Sequence, residues 1–154
     1  MTKPERARIL VIDDDKGIRE SLETVLKEEG YEVDVAENGH EAIRKSEANY
    51  YNLALVDLRL PDMDGLELLT EMMETVPKVV KIIITGYPSL QNAIQAVNLG
   101  ADGYMVKPYK MEDMLRAIRE SLRKQEEARR FSEQKVKEFI ETRFKEQEPK
   151  SPDR

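Results

Sequence analysis

Five short apolar runs, rich in β-branched residues and recurring at intervals of roughly 20 to 30 residues, constrain this chain more than any other feature. They are Ile9-Leu-Val-Ile12, Val33 to Ala36, Leu53-Ala-Leu-Val56, Val79 to Ile84 and Tyr104-Met-Val106. The segments between them have helical periodicity, so strand and helix alternate as βαβ units. Four runs are almost continuously apolar, as strands covered by helices on both faces must be. The segment Glu32-Val-Asp-Val-Ala36 alternates polar and apolar instead, which suits an edge strand.

The intervening helices have readable ends. Ile18, Leu22, Val25 and Leu26 form one face, followed by Gly30 at the position where a helix commonly turns left-handed. Asn38-Gly-His-Glu41 has capping-box spacing ahead of Ala42, Ile43 and Ala48. Asp64 or Gly65 opens a third helix running through Leu66, Leu69, Met72 and Met73, and Pro77 ends it at the latest. Ser89 opens a fourth, with Ala93, Ile94 and Val97 predicted to face inward and Gly100 at its end. Met111, Met114, Leu115, Ile118 and Leu122 begin a fifth. Because crossovers between parallel strands are right-handed, five strands and five helices over residues 8–124 imply an α/β, doubly wound parallel sheet. Such a sheet places ligands at the carboxyl ends of its strands.

Charge and side-chain inventory exclude several functions. Acids number 31 and bases 25, for a net charge of −6, and no basic patch is present, so the chain is not expected to bind nucleic acid directly. With no Cys and a single His there is no disulfide framework, thiolate site or His-based zinc site. No run approaches the ~20 apolar residues of a membrane span, and the charged start is no signal peptide, so a cytoplasmic location is expected.

Polar residues recur at the same end of four strands. Asp13, Asp14 and Asp15 follow the first, Asp57 ends the third, Thr85 the fourth and Lys107 the fifth. An Asp run after a strand is ordinarily a turn or helix cap, and a lone Asp, Thr or Lys there is ordinarily solvated; the conjunction is what carries information. Carboxylates are hard ligands suited to Mg2+, which takes one or two of them together with phosphate oxygens. A lysine and a hydroxyl can satisfy further phosphoryl oxygens, leaving a carboxylate to act as nucleophile and form an acyl phosphate.

With these residues in view, the sequence resembles the receiver domains of two-component response regulators from about Arg8 to Leu122. Ile9-Leu-Val-Ile-Asp-Asp-Asp15 resembles that family's acidic-pair strand and Leu55-Val-Asp-Leu-Arg-Leu-Pro-Asp-Met-Asp-Gly65 its phosphoacceptor segment. Ile83-Ile-Thr-Gly86 is similar to its switch-hydroxyl strand, and Gly100-Ala-Asp-Gly-Tyr-Met-Val-Lys-Pro108 to the segment carrying its lysine. The resemblance implies a flavodoxin-like sheet of order 2-1-3-4-5 with five helices, the last extended. It implies Asp57 as phosphoacceptor, Mg2+ held by Asp13, Asp14, Asp57 and the backbone carbonyl of Arg59, and Lys107 on the phosphoryl oxygens, with the Lys107-Pro108 bond cis. Thr85 and Tyr104 would then be the switch pair, moving the surface of the fourth helix, fifth strand and fifth helix. The implied partner is a sensor histidine kinase or phosphotransfer protein; the chain would be a switch and not a classical enzyme. Arg59 places a cation beside the pocket, where it bears on phosphoryl lifetime.

Two rival readings concern the ends of this scheme. Asp13-x-Asp15 after an apolar strand also resembles the nucleophile motif of haloacid dehalogenase-like phosphatases, with Asp13 as nucleophile and Asp15 as acid/base, but no later acidic metal motif follows Lys107. Asp15 fits a helix cap better than a ligand, and His40 a surface position. Residues 125–154 hold eight bases and eight acids and are helix-forming to about Gln147, after which residues 148–154 are expected to be disordered; residues 1–7 are read as an N-terminal tail. A heptad seam through Gln125, Arg129 and Ser132 is polar, whereas Val136, Phe139, Ile140 and Phe144 form a separate apolar patch. The extension is read as a dimerising or docking helix, a linker to an output domain, or a tail.

Overall fold

The computed structural model describes residues 6–72, 74–75 and 78–147. Strands β1 (Arg8–Ile12), β2 (Glu32–Ala36), β3 (Leu53–Asp57), β4 (Val80–Thr85) and β5 (Gly103–Val106) coincide with the apolar runs. Between and after them lie α1 (Lys16–Glu28), α2 (Gly39–Ala48), α3 (Gly65–Glu71), α4 (Leu90–Asn98) and α5 (Met111–Gln147). All pairings are parallel and the order is β2-β1-β3-β4-β5, with the alternating β2 at an edge. The expected flavodoxin-like topology is therefore present.

Because side chains alternate across a strand, each central strand feeds two cores. Leu10, Ile12, Ala54, Val56 and Ile83 face α2, α3 and α4, meeting Ala42, Leu68, Leu69 and Ala96. Ile9, Val11, Leu53, Leu55, Ile82 and Ile84 face α1 and α5, meeting Leu22, Leu26, Met114 and Ile118. Each large side chain fully buried in this way contributes about 1.5–3 kcal/mol of transfer free energy. The strands are thus pinned from both sides, and their carboxyl ends form a fixed platform.

Caps set where each helix leaves that platform. Asp15 caps α1 by accepting from Ile18 N at 3.0 Å, the cap role expected for it. Asn38 caps α2, but the Glu41 carboxylate accepts from Glu37 N and not from Asn38, so the box is displaced by one residue. Gly30 and Gly100 close α1 and α4 with φ of 95° and 94°.

Two helices differ from expectation. Helix α3 ends at Glu71, with Met72 as its cap and buried; Met73 and Pro77 lie outside the described residues. In α4 the inward face is Ala96 and, in part, Ala93, while Ile94 and Val97 are 51% and 68% exposed. Small side chains let α4 lie close to the sheet, and the bulkier stripe of Leu90, Ile94 and Val97 turns to solvent.

Helix α5 is 37 residues long, about 55 Å at the usual rise. Its first turns pack on the sheet, and Gln125 then ties it to the floor of the domain. There the Gln125 amide donates to the carbonyls of Asn52 and Lys78 at 2.9 and 2.8 Å. Beyond that latch Phe131, Val136, Phe139 and Ile140 are all exposed. Among the described residues no helix is long and apolar enough to cross a membrane. The expected disorder at residues 148–154 lies outside the described residues, as do residues 1–5 of the N-terminal tail.

Candidate functional site

The ends of β1, β3, β4 and β5 bring the singled-out residues into one crevice. Asp13, Asp14 and Asp57 each offer a carboxylate oxygen within 4.8 Å of the others. Asp13 and Asp57 are only 3% and 7% exposed, whereas Asp14 is open to solvent. Lys107 Nζ lies 3.2 Å from Asp57 Oδ2 and 3.4 Å from Asp13 Oδ2, so one cation serves two buried carboxylates. The Lys107-Pro108 bond is cis, as the resemblance implies, and Lys107 N donates to Thr85 O at 2.8 Å.

Backbone contacts hold the acceptor in place. Asp57 Oδ1 accepts from Arg59 N at 3.0 Å, and Asp13 Oδ1 accepts from Asp15 N at 2.9 Å. Gly65 N donates to Leu58 O at 2.7 Å, bringing the start of α3 against the end of β3. A Cβ on Gly65 would stand 2.4 Å from the Asp57 carbonyl oxygen, so only glycine permits this approach. Thr85 is buried and its Oγ1 accepts from Tyr87 N at 2.9 Å. Tyr104 is half-buried and its hydroxyl donates to Asn92 Oδ1.

These positions have electrostatic consequences. Burial pushes the Asp13 carboxyl up to about 6; the Asp15 N–H opposes the rise and the Asp57 charge adds to it. Burial works against the Lys107 ammonium, but Asp13 and then Asp57 outweigh it and raise its pKa. Three carboxylates converging with one lysine leave a surplus of negative charge on hard oxygens. That donor set fits a divalent cation of the Mg2+ type, with open positions for water and phosphate oxygens.

Other residues sort differently. Asp15 is exposed, caps α1 and is not one of the three clustered carboxylates, which counts against the acid/base role that the phosphatase reading gives it. His40 is exposed and pairs with Asp62, as a surface residue would. Sequence reasoning missed Arg19, whose Nη1 donates to Asp13 O at 2.9 Å, and Tyr87, whose ring lies 3.6 Å below the Arg59 guanidinium. It also missed Asn92, although its spacing after Ser89 matches a capping box and the full box is formed.

Comparison with known proteins agrees with this geometry. The family model for the response regulator receiver domain matches residues 9–119. The crystal structure of a receiver domain protein from Methanospirillum hungatei is 44% identical, covering 80% of this chain and 99% of that one, with a TM-score of 0.77. A two-component response regulator from Clostridium difficile is 32% identical over 77% of this chain and 97% of its own, at a TM-score of 0.73. Response regulator ArlR of Staphylococcus saprophyticus is 34% identical over 118 residues, 77% of this chain and 53% of that protein. The chain spans about half the length of the curated relatives it matches. With the family model covering most of its length and the acidic crevice where that fold places it, this chain belongs to the response regulator receiver domains of two-component systems.

Proposed function

We propose that this chain is a switch operated by phosphorylation of Asp57, with a sensor histidine kinase or phosphotransfer protein as donor. The single observation that carries this is the buried Asp57 carboxylate sharing Lys107 with Asp13 inside a three-carboxylate cluster. Asp13, Asp14, Asp57 and the Arg59 carbonyl would hold Mg2+, which when bound neutralises charge on the incoming phosphoryl group. Asp57 attacks phosphorus; the new P–O bond forms as the bond from phosphorus to the donor nitrogen breaks. Lys107 supplies a point charge to one phosphoryl oxygen. The Thr85 hydroxyl turns to another, and Tyr104 follows into the space released. Self-catalysed phosphorylation and dephosphorylation are the only chemistry expected.

The receiver unit is assigned to residues 8–124 and the signalling surface to α4, β5 and α5. The extension over 125–147 serves dimerisation, partner docking or connection to an output domain, and the setting is the cytoplasm. In the presence of Mg2+, acetyl phosphate should add one phosphoryl group, and Asp57→Asn should abolish its incorporation. Labelling that survives Asp57→Asn but is lost in Asp13→Asn would overturn the assignment. Solution mass with and without residues 125–154 tests the helix as a dimer element, and a monomer in both forms would count against it.

A further inference from the structure

The switch residues Thr85 and Tyr104 do not merely approach α4; both are wired to its first turn through one side chain. Asn92 Oδ1 accepts from the Tyr104 hydroxyl and from Ser89 N at 3.3 Å, and Asn92 Nδ2 donates to Tyr87 O at 3.0 Å. Asn92 N in turn donates to Ser89 Oγ at 3.1 Å. Tyr87 N donates to Thr85 Oγ1 at 2.9 Å, and the Tyr87 ring stacks under Arg59, whose own N–H holds Asp57. A continuous set of contacts therefore runs from Asp57 through Arg59 and Tyr87 to Asn92, and a second arm enters the same amide from Tyr104.

An amide oxygen has two lone pairs, and both are taken here, one by the helix cap and one by the switch tyrosine. If Tyr104 swings inward, its hydroxyl leaves Asn92; if the Thr85 hydroxyl turns to a phosphoryl group, Tyr87 N loses its acceptor. The first movement removes the contact that ties Asn92, and with it the first turn of α4, to β5, and the second removes the contact that ties the β4–α4 loop to the end of β4; α4 carries the exposed stripe of Leu90, Ile94 and Val97. No charged residue occurs from Ile82 to Ala101 in a chain that is 36% charged, so these hydrogen bonds have no ion pairs to replace them there.

We propose that Asn92 is a positioning residue that latches Tyr104 and the β4–α4 loop in the resting state, and that release of the Tyr104 hydroxyl from Asn92 frees the first turn of α4. This rests on phosphorylation of Asp57 as the trigger, but the latch itself exists without it.

The full chain carrying 3-fluorotyrosine, with the Tyr104 signal assigned by Tyr104→Phe, gives a direct fluorine NMR readout in the unphosphorylated state. Asn92→Ala should raise the inward population of Tyr104 about fivefold, the equilibrium equivalent of one ordinary hydrogen bond. Asn92→Asp keeps the acceptor oxygen and should leave the Tyr104 signal in place. Ser89→Ala weakens the helix cap without touching the Tyr104 acceptor and should leave it as well. A Tyr104 signal unmoved by Asn92→Ala, or moved equally by Ser89→Ala, would overturn the latch and reduce Asn92 to a helix cap.

Hydrogen exchange of the α4 first-turn amides gives the second arm. Tyr104→Phe should speed exchange about fivefold, Asn92→Ala at least as much because it also removes the contacts to Ser89 N and Tyr87 O, and adding Tyr104→Phe to Asn92→Ala should bring no further change, as for one shared bond. Multiplicative effects in the double variant would contradict it. If the fluorine signal responds as described while acetyl phosphate leaves Asp57 unmodified, the latch stands and the phosphorylation reading fails.

Discussion

Replacing Asp57 by Asn should stabilise the metal-free protein, although it removes one partner of a buried ion pair. The carboxylate oxygens of Asp13, Asp14 and Asp57 lie within 4.8 Å of one another. At an effective dielectric constant of about 20, two unit charges at that separation repel by about 3.5 kcal/mol. Asp57 takes part in two such repulsions, the one with exposed Asp14 further screened by water. Against them stands one attraction, to Lys107 at 3.2 Å, of about 5 kcal/mol on the same scale. Asn is close to isosteric, keeps an oxygen for Arg59 N, and leaves Lys107 with Asp13. The balance is a net gain of about 1–2 kcal/mol. Urea unfolding in mildly alkaline, chelated buffer, where Asp13 is ionised, measures it directly. Saturating Mg2+ should reverse the order, because the wild-type chain has the complete ligand set and gains binding free energy that the variant lacks. A variant less stable than wild type without metal would refute the surplus-charge account.

Further outcomes follow from the same geometry. Since the Asp13 carboxyl is pushed up to about 6, Mg2+ must compete with a proton there, and affinity should fall as pH drops through about 6; calorimetric titration showing flat affinity across that value would contradict it. For the metal-free fold the sign is opposite: Asp13 takes up a proton on folding, so its contribution is present below the ordinary carboxylate pKa and lost as pH rises through about 6. Gly65→Ala should cost about 1–3 kcal/mol, because its Cβ would meet fixed backbone at Asp57 and Leu58. Gly39→Ala, which meets only the flexible Met63 side chain, should cost less, and equal unfolding midpoints would refute the distinction. Burial opposes ionisation of Asp62, but the N–H groups of Gly39 and His40 and the His40 ring outweigh it and hold its pKa at about 2. Asp62→Ala should therefore destabilise by about 1 kcal/mol at neutral pH, like the loss of a helix cap. That difference should fade as pH falls from the ordinary carboxylate range through about 2; a difference that persists in acid would point to packing instead.

Strand positions and the acidic crevice were legible because both depend on patterns the sequence carries whole. Apolar runs of strand length must be buried on both faces, and once they lie parallel, residues following each run must share one end. Asp13, Asp14, Asp57, Thr85 and Lys107 needed no further information. The orientation of α4 was not legible in the same way. Leu90, Ile94 and Val97 form an apolar stripe, but periodicity locates a stripe without saying whether core or solvent receives it. The choice was made by Ala96, whose small side chain fits against a sheet already filled by isoleucines and leucines. Asn92, Tyr87 and Arg19 were missed for another reason: their roles come from contacts across turns, between residues that look like ordinary surface polar groups in the chain. The extension was legible as a helix from its composition, but the Gln125 latch to Asn52 and Lys78 depends on where the floor of the sheet lies.

The most direct test of the central claim is chemical mapping of the acceptor. After incubation with acetyl phosphate and Mg2+, borohydride reduction converts an aspartyl phosphate to homoserine, and peptide mass spectrometry locates it. Homoserine should appear at Asp57 alone and vanish when Mg2+ is chelated. Modification at Asp13, or no acyl phosphate under conditions where the folded chain binds Mg2+, would contradict the account.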